Sequence, residues 1–290
     1  MSDNASHGAV SGLVPLAVLV AMAHPCLGAL AIERAAVHQF DDGPVLDAAH
    51  IFLPGETVYF SCRLTGYQTA ASADDQHTVK LSWRLHISDP AGVAVVPDPG
   101  GRIQAPVFAQ DKDWRPKFIY SFGLPPFAPS GTYRIEVQVR DEVSNSQVDG
   151  ELNILVHGHD VEPGAALAVR NLHFLRAETD ATALDPAIYR PGETLWARFD
   201  INGYKYGPKN RYSVEYGLAI LRENGARVFE QPAAAEDTHE SFYPQSYVPG
   251  SISLNLDPMV PQGAYTLVIT VRDKIGEQSA EARAPFQIGR

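Results

Sequence analysis

Cysteine is nearly missing from this chain: 290 residues contain two, Cys26 and Cys62. Cys26 falls in an apolar N-terminal segment, so a mature chain that has lost it holds Cys62 alone and forms no intrachain disulfide. That excludes a small disulfide-built scaffold. Local signatures of catalysis are missing too. There is no Gly-x-Ser-x-Gly elbow, no glycine-rich phosphate loop opening a helix, and no His-Glu-x-x-His. No convincing helical period of about ten to fifteen residues separates the apolar runs, which argues against a βαβ fold. Positive charge is scarce: 23 Lys and Arg stand against 34 Asp and Glu, a net −11. Such a surface repels phosphate backbones and anionic headgroups, so neither nucleic acid nor an anionic membrane is an expected partner.

What is present begins with residues 13–23 (Leu-Val-Pro-Leu-Ala-Val-Leu-Val-Ala-Met-Ala), the strongly apolar stretch of the chain. Its length suits the hydrophobic region of a secretory leader, although residues 1–12 lack the usual basic residue. Ala29-Leu30-Ala31 offers a small-x-small cleavage pattern. The expectation is a leader over 1–31, a mature chain starting at Ile32, and a secreted, periplasmic or cell-surface location. A retained anchor needs about 20 apolar residues, and His24-Pro25 interrupts this run too early. Cys26 lacks a preceding small residue, which speaks against a lipid anchor. No membrane insertion of the mature chain is expected.

Past the leader, one pattern occurs twice. Pro129-Ser-Gly-Thr-Tyr-Arg-Ile-Glu-Val-Gln-Val-Arg-Asp141 returns as Pro261-Gln-Gly-Ala-Tyr-Thr-Leu-Val-Ile-Thr-Val-Arg-Asp273. In the first copy Tyr133, Ile135, Val137 and Val139 alternate with polar residues, the period-two signature of a strand with one buried face. Pro54-Gly55-Glu56-Thr57 matches Pro191-Gly192-Glu193-Thr194, and Gly66-Tyr67 matches Gly203-Tyr204 at the same spacing of 137 residues. Leu85 to Gly92 runs parallel to Leu218 to Gly225. A motif order kept over this distance marks an internal duplication.

Each copy reads as short strands between turns. Expected strands in the first are 35–40, 57–64, 79–88, 93–96, 117–124, the repeated stretch 129–141, and 152–156. In the second they are 167–175, 195–201, 212–221, 227–229, 251–256, 264–272 and 282–288. Val58, Phe60 and Cys62 share one strand face, so Cys62 reads as a small core hydrophobe rather than a reactive thiol. The resulting fold class is all-β, with two tandem antiparallel sandwiches at 32–156 and 167–290. Between them 157–166, short, polar and rich in Gly and Pro, reads as a linker of limited slack.

Pro-Gly-Glu-Thr before a strand, and Pro-x-Gly-x-Tyr opening a late strand that ends in Arg-Asp, resemble bacterial immunoglobulin-like domains. Fibronectin type III-like and macroglobulin-like sandwiches share the pattern. The resemblance implies that Tyr133 and Tyr265 form tyrosine corners and that Trp83 serves as the large apolar residue of a central strand. It implies secretion and contact-making more than catalysis, and fold does not fix function.

Three tyrosines are the candidate ligand-binding residues: Tyr206, Tyr243 and Tyr247, in the segments 203–212 and 241–247. Such rings suit sugar or protein surfaces. Tyr67 and Tyr204 hold equivalent places and read as packing. His157, His159 and Asp160 have metal-ligand chemistry but read as solvated linker. A Ca²⁺ site combining Asp160 and Glu162 with Asp141 or Asp273 lacks an Asp-x-Asp-x-Asp loop. No cofactor and no metal are expected. The function expected is a non-catalytic interaction or structural module, binding a protein or glycan of the cell envelope. The alternative is a carbohydrate-binding module of an extracellular degradative system.

Overall fold

The computed structural model describes residues 29–71, 77–111, 113–162 and 164–289. The expected leader therefore lies outside the described residues except for its last three.

In the first half the strands are β1 (Ala31–His38), β2 (Ile51–Phe52), β3 (Thr57–Thr65), β4 (Thr69–Ala71), β5 (His77–Ser88), β6 (Gly100–Val107), β7 (Lys117–Gly123), β8 (Gly131–Asp141) and β9 (Gln147–Val156). They form a sheet ordered β1-β3-β7 and a second ordered β2-β9-β8-β5-β4, with β6 also on β5. The second half supplies β10 (Ala168–Leu175), β11 (Ile188–Tyr189), β12 (Thr194–Asn202), β13 (Tyr212–Arg222), β14 (Arg227–His239), β15 (Tyr247–Asn255), β16 (Gly263–Asp273) and β17 (Gln278–Ile288). Their order is β10-β12-β15 and β11-β17-β16-β13-β14. Pairing is antiparallel apart from the two-residue parallel contacts β2–β9 and β11–β17. Each half is an immunoglobulin-like β-sandwich, and the two share strand order, as the duplication requires.

The cores follow the alternation. Val58, Phe60, Cys62 and Leu64 point from β3 into the first core, facing Leu81, Leu85 and Ile87 of β5 and Ile135 and Val139 of β8. Burial pushes the Cys62 thiol up to about 12, as desolvation disfavours the thiolate. Trp83 is only partly buried, its ring stacked on Phe118 at 4.4 Å. The second core uses Leu195, Ala197, Phe199 and Ile201 of β12 against Leu267, Ile269 and Val271 of β16.

The repeated motifs have specific jobs. Gly55 and Gly192 carry φ of +82° and +85°, the positive value a Pro-Gly turn needs at its second central residue. The following glutamate closes that turn: Leu53 N–H donates to Glu56 Oε2, and Arg190 N–H to Glu193 Oε2, both at 2.8 Å. Tyr133 donates to the Pro129 carbonyl at 3.1 Å and Tyr265 to the Pro261 carbonyl at 2.8 Å. Both are tyrosine corners.

The terminal aspartates of the motif staple the next turn to a loop from the other sheet. Asp141 is 0% exposed and accepts from Gln68 N–H, Val143 N–H, Ser144 N–H and Ser144 Oγ. Asp273 likewise accepts from Lys205 N–H, Ile275 N–H, Gly276 N–H and Gln278 Nε2. These oxygens are committed to their own chain, which removes them from the Ca²⁺ arrangement considered above.

Two strand expectations need correction. Segment 93–96 forms only an isolated bridge, Ser88 to Ala94, and the paired strand is β6 further on. Its Gly100-Gly101 opening and Pro106 read as loop, yet Gly101 is required because a Cβ there would strike the Trp83 ring. Pro106 is tolerated because β6 is an edge strand. Likewise β14 runs to His239 rather than stopping at 229, past Pro232. It too lies at a sheet edge.

Candidate functional site: the cleft between the sandwiches

The loop joining β14 to β15 carries Ser-Phe-Tyr-Pro-Gln-Ser, and it crosses to the first half. Tyr243 is 8% exposed and belongs to the first half's core cluster. Its hydroxyl donates to Asp89 Oδ2 at 2.7 Å. Asp89 also organises its own turn, since Oδ1 accepts from Ala91 N–H at 2.9 Å and Val93 N–H at 2.8 Å. Burial, and then the bond to Asp89, raise the Tyr243 hydroxyl's pKa well above the ordinary tyrosine value. The ring therefore stays a neutral donor.

Tyr247, at the start of β15, is 6% exposed. It meets Phe127 of the first half edge-on at 5.5 Å and His159 of the connecting segment at 5.3 Å. Tyr206 differs. It is 40% exposed, with its ring edge-on to Tyr204 at 5.4 Å. Both hydroxyls donate to the Gln245 carbonyl, while Gln245 Nε2 donates to Tyr247 O at 2.7 Å. One buried glutamine thus fixes Tyr204, Tyr206 and Tyr247 together.

Of the three tyrosines read from sequence, then, only Tyr206 presents substantial surface. Tyr243 and Tyr247 sit in the contact between the halves rather than on an open loop. Sequence missed this because a loop rich in aromatics looks the same whether it faces solvent or another domain. It also passed over Asp89 and Gln245, whose roles require knowing which loops meet. Tyr204 packs, as expected. Tyr67 also packs, edge-on to Trp114 at 6.2 Å.

The connecting segment is pinned at several points. Ser130 Oγ accepts from Gly158 N–H at 3.0 Å. His159 Nε2 lies 2.8 Å from Asp200 Oδ2, which also accepts from Asn171 Nδ2 at 2.7 Å. Asn202 Nδ2 donates to the Glu162 carbonyl. His159 is thus engaged by a carboxylate of β12 rather than left as free linker. Among the described residues no group of three or more His, Cys, Asp or Glu side chains converges as metal ligands.

Between the halves lies a cleft of ≈ 730 Å³, walled by Pro90, Val93, Pro129, Val161, Tyr206 and Pro244. Its polar lining includes Asp160, Glu162 and Asn202. Asn202 is 2% exposed, and its Oδ1 is buried without a hydrogen-bond partner. On the other flank of Tyr243 a smaller hollow of ≈ 430 Å³ is bounded by Phe127, Tyr212, Asp237 and His239. Among the described residues no helix is long and apolar enough to cross a membrane.

No family model and no curated protein matches the chain. Solved structures similar to it include the C-terminal domain of the Streptococcus pyogenes antigen I/II-family protein AspA. That likeness has 10% identity and a TM-score of 0.30 over 90% of this chain and 100% of that one. The C-terminal domain of the Streptococcus agalactiae AgI/II polypeptide BspA matches at 10% identity and TM-score 0.27, over 87% and 99%. A family 123 glycoside hydrolase from Clostridium perfringens matches at 12% identity and TM-score 0.28, over 43% of this chain and 28% of that one. Superposition this loose has no bearing on function.

Proposed function

We propose that this chain is a non-catalytic binding module of the cell envelope or exterior, using two immunoglobulin-like sandwiches set in a fixed relation to hold a partner protein or glycan. The observation that carries the reading is Tyr243, which leaves one sandwich, enters the core of the other and bonds Asp89 at 2.7 Å. Joining domains by a buried aromatic and a carboxylate has a physical consequence: it holds a concave, partly apolar surface in constant shape. Such preorganisation favours binding, because less freedom remains to be lost. Clefts at domain interfaces are common ligand sites.

A carbohydrate-binding role is the second reading. Tyr206 favours it, since an exposed ring beside amide and carboxylate acceptors is the surface a sugar ring uses. Tyr206→Ala is the test for both. Its ring is exposed, so the melting temperature stays within a few degrees of the parent, while capture of the partner from envelope extract, or binding on a glycan array, weakens several-fold. Unchanged capture and unchanged array signal remove the cleft from the proposal.

A further inference from the structure

The contact between the halves joins two different ends of one fold. The second sandwich offers the loop carrying Tyr243, and the first offers the turns at 89–92 and 125–129. Because the halves are duplicates, each end exists a second time. On the first sandwich the counterpart of the Tyr243 loop carries Phe108, Asp111 and Trp114. Tyr67 donates to the Trp114 carbonyl at 3.1 Å, as Tyr204 does to that of Gln245. Phe108 is 46% exposed and Trp114 36% exposed. On the second sandwich the counterpart turns are 222–225 and 257–261, closed by the same backbone bonds. Gly225 N–H donates to Arg222 O as Gly92 N–H does to Asp89 O. Val260 N–H donates to Asp257 O as Ala128 N–H does to Pro125 O.

Three positions set this second pair of ends apart. Phe127 lies against Tyr247, but Met259, 132 residues further on, is 89% exposed, the barest large hydrophobic among the described residues. Tyr243 sits between Asp89 and Tyr133 on the first sandwich. Their counterparts Arg222 and Tyr265, with Pro261, wall a hollow of ≈ 430 Å³. The charges are exchanged as well. Exposed Arg222 takes the place of Asp89, and Asp111 stands 132 residues before Tyr243.

From this repetition we infer that copies of the chain associate head to tail. The Phe108 loop of one copy docks on the 222–225 and 257–261 turns of the next. Phe108 and Trp114 cover Met259 and Pro261, and Asp111 meets Arg222 where the Tyr243–Asp89 bond stands within the chain. A contact between unlike patches leaves one of each free in a dimer, so copies add in a row. Within the chain a short linker holds the two ends at an effective concentration of about a millimolar. Between chains that help is missing, so association is expected at roughly 0.1–1 mM. The inference goes beyond the binding reading and is independent of what the cleft holds.

Sedimentation velocity of the full chain over a concentration series is the test, at physiological salt to screen the net −11. The parent's mean mass rises with concentration past that of a dimer. Phe108→Glu spoils one end and Met259→Glu the other. Both side chains are exposed, so melting temperatures stay within a few degrees of the parent. Each variant alone is monomeric, whereas their equimolar mixture forms a dimer and nothing larger, because one intact end of each kind remains. Arg222→Glu and Asp111→Arg each weaken association about fivefold, the scale of one exposed ion pair. Combined in one chain they restore it. A parent that stays monomeric to about 1 mM overturns the inference. Either single variant dimerising alone does so too, since that contact joins like ends, as does a mixture that remains monomeric.

Discussion

Tyr243→Phe isolates the contact on which the fixed arrangement of the two sandwiches depends. The substitution keeps the ring, 8% exposed among the first half's core residues, and deletes only the hydroxyl that donates to Asp89 Oδ2 at 2.7 Å. A hydrogen bond to a charged, buried acceptor contributes about 1.5–3 kcal/mol. Asp89 is itself 7% exposed, so water replaces the lost donor poorly. The expected cost is about 2 kcal/mol, which for a chain of this size lowers the melting temperature by roughly 4–8 °C. Tyr243→Ala adds loss of the ring, about 3–5 kcal/mol in total. It also separates one calorimetric transition into two and widens the particle in small-angle scattering. A double-mutant cycle with Asp89→Ala isolates the pair, with an expected coupling of about 1–2 kcal/mol. Tyr243→Phe melting within 1 °C of the parent, together with zero coupling to Asp89, refutes the reasoning. A single unshifted transition in Tyr243→Ala does so more directly.

The aspartates ending the repeated motif give a matched pair. Asp141→Ala and Asp273→Ala each strand four donors in turns whose acceptor is at most 1% exposed, and each costs about 3 kcal/mol by urea unfolding. Effects below about 1 kcal/mol in both would show the staples to be incidental. For Cys62, burial holds the folded thiol near 12 against an ordinary value of 9.0. Above pH 9 the unfolded thiol loses its proton while the folded one keeps it, so the unfolded state binds fewer protons and stability falls with rising pH. Cys62→Val softens this alkaline loss by about 1.4 kcal/mol per pH unit between those limits. In the parent a thiol reagent at pH 8 labels Cys62 only after denaturation. Rapid native labelling contradicts its burial.

Alternation and turn chemistry made most of the fold legible. Tyr133 and Tyr265 could be placed because a strand's buried face repeats every second residue and the proline four positions upstream marks the corner. The Pro54-Gly55 and Pro191-Gly192 turns were readable because positive φ selects glycine. What the pattern could not carry were edge strands and encounters between domains. Strand β14 buries little and shows no strong alternation. Strand β6 alternates Ile103, Ala105 and Val107 with polar residues but is disguised by its Gly-Gly opening and Pro106. As edge strands both tolerate their prolines, Pro106 and Pro232. Tyr243 and Asp89 are 154 residues apart, and nothing local to either announces the other.

The same limit bears on the N-terminus, where a local motif competes with the duplication. Ala29-Leu30-Ala31-Ile32 reads as a cleavage pattern, but Ala166-Leu167-Ala168-Val169 stands 137 residues on, the spacing of the other repeated motifs. The structure treats the two alike. Leu30 and Leu167 are each 7% exposed in their cores. Gly66 and Gly203, at φ of +69° and +71°, each leave room for the preceding segment, since a Cβ would run into the carbonyl of Ala29 or Ala166. Processing after Ala31 would strip Leu30 from the first core, a loss of about 2–5 kcal/mol on the scale of emptied leucine sites. Any leader cleaved from this chain is therefore expected to end upstream of Ala29. N-terminal sequencing of the processed protein tests this. A start at or before Ala29 is expected, and a start at Ile32 in a protein as stable as one retaining Leu30 would mean that the duplicated segment is dispensable.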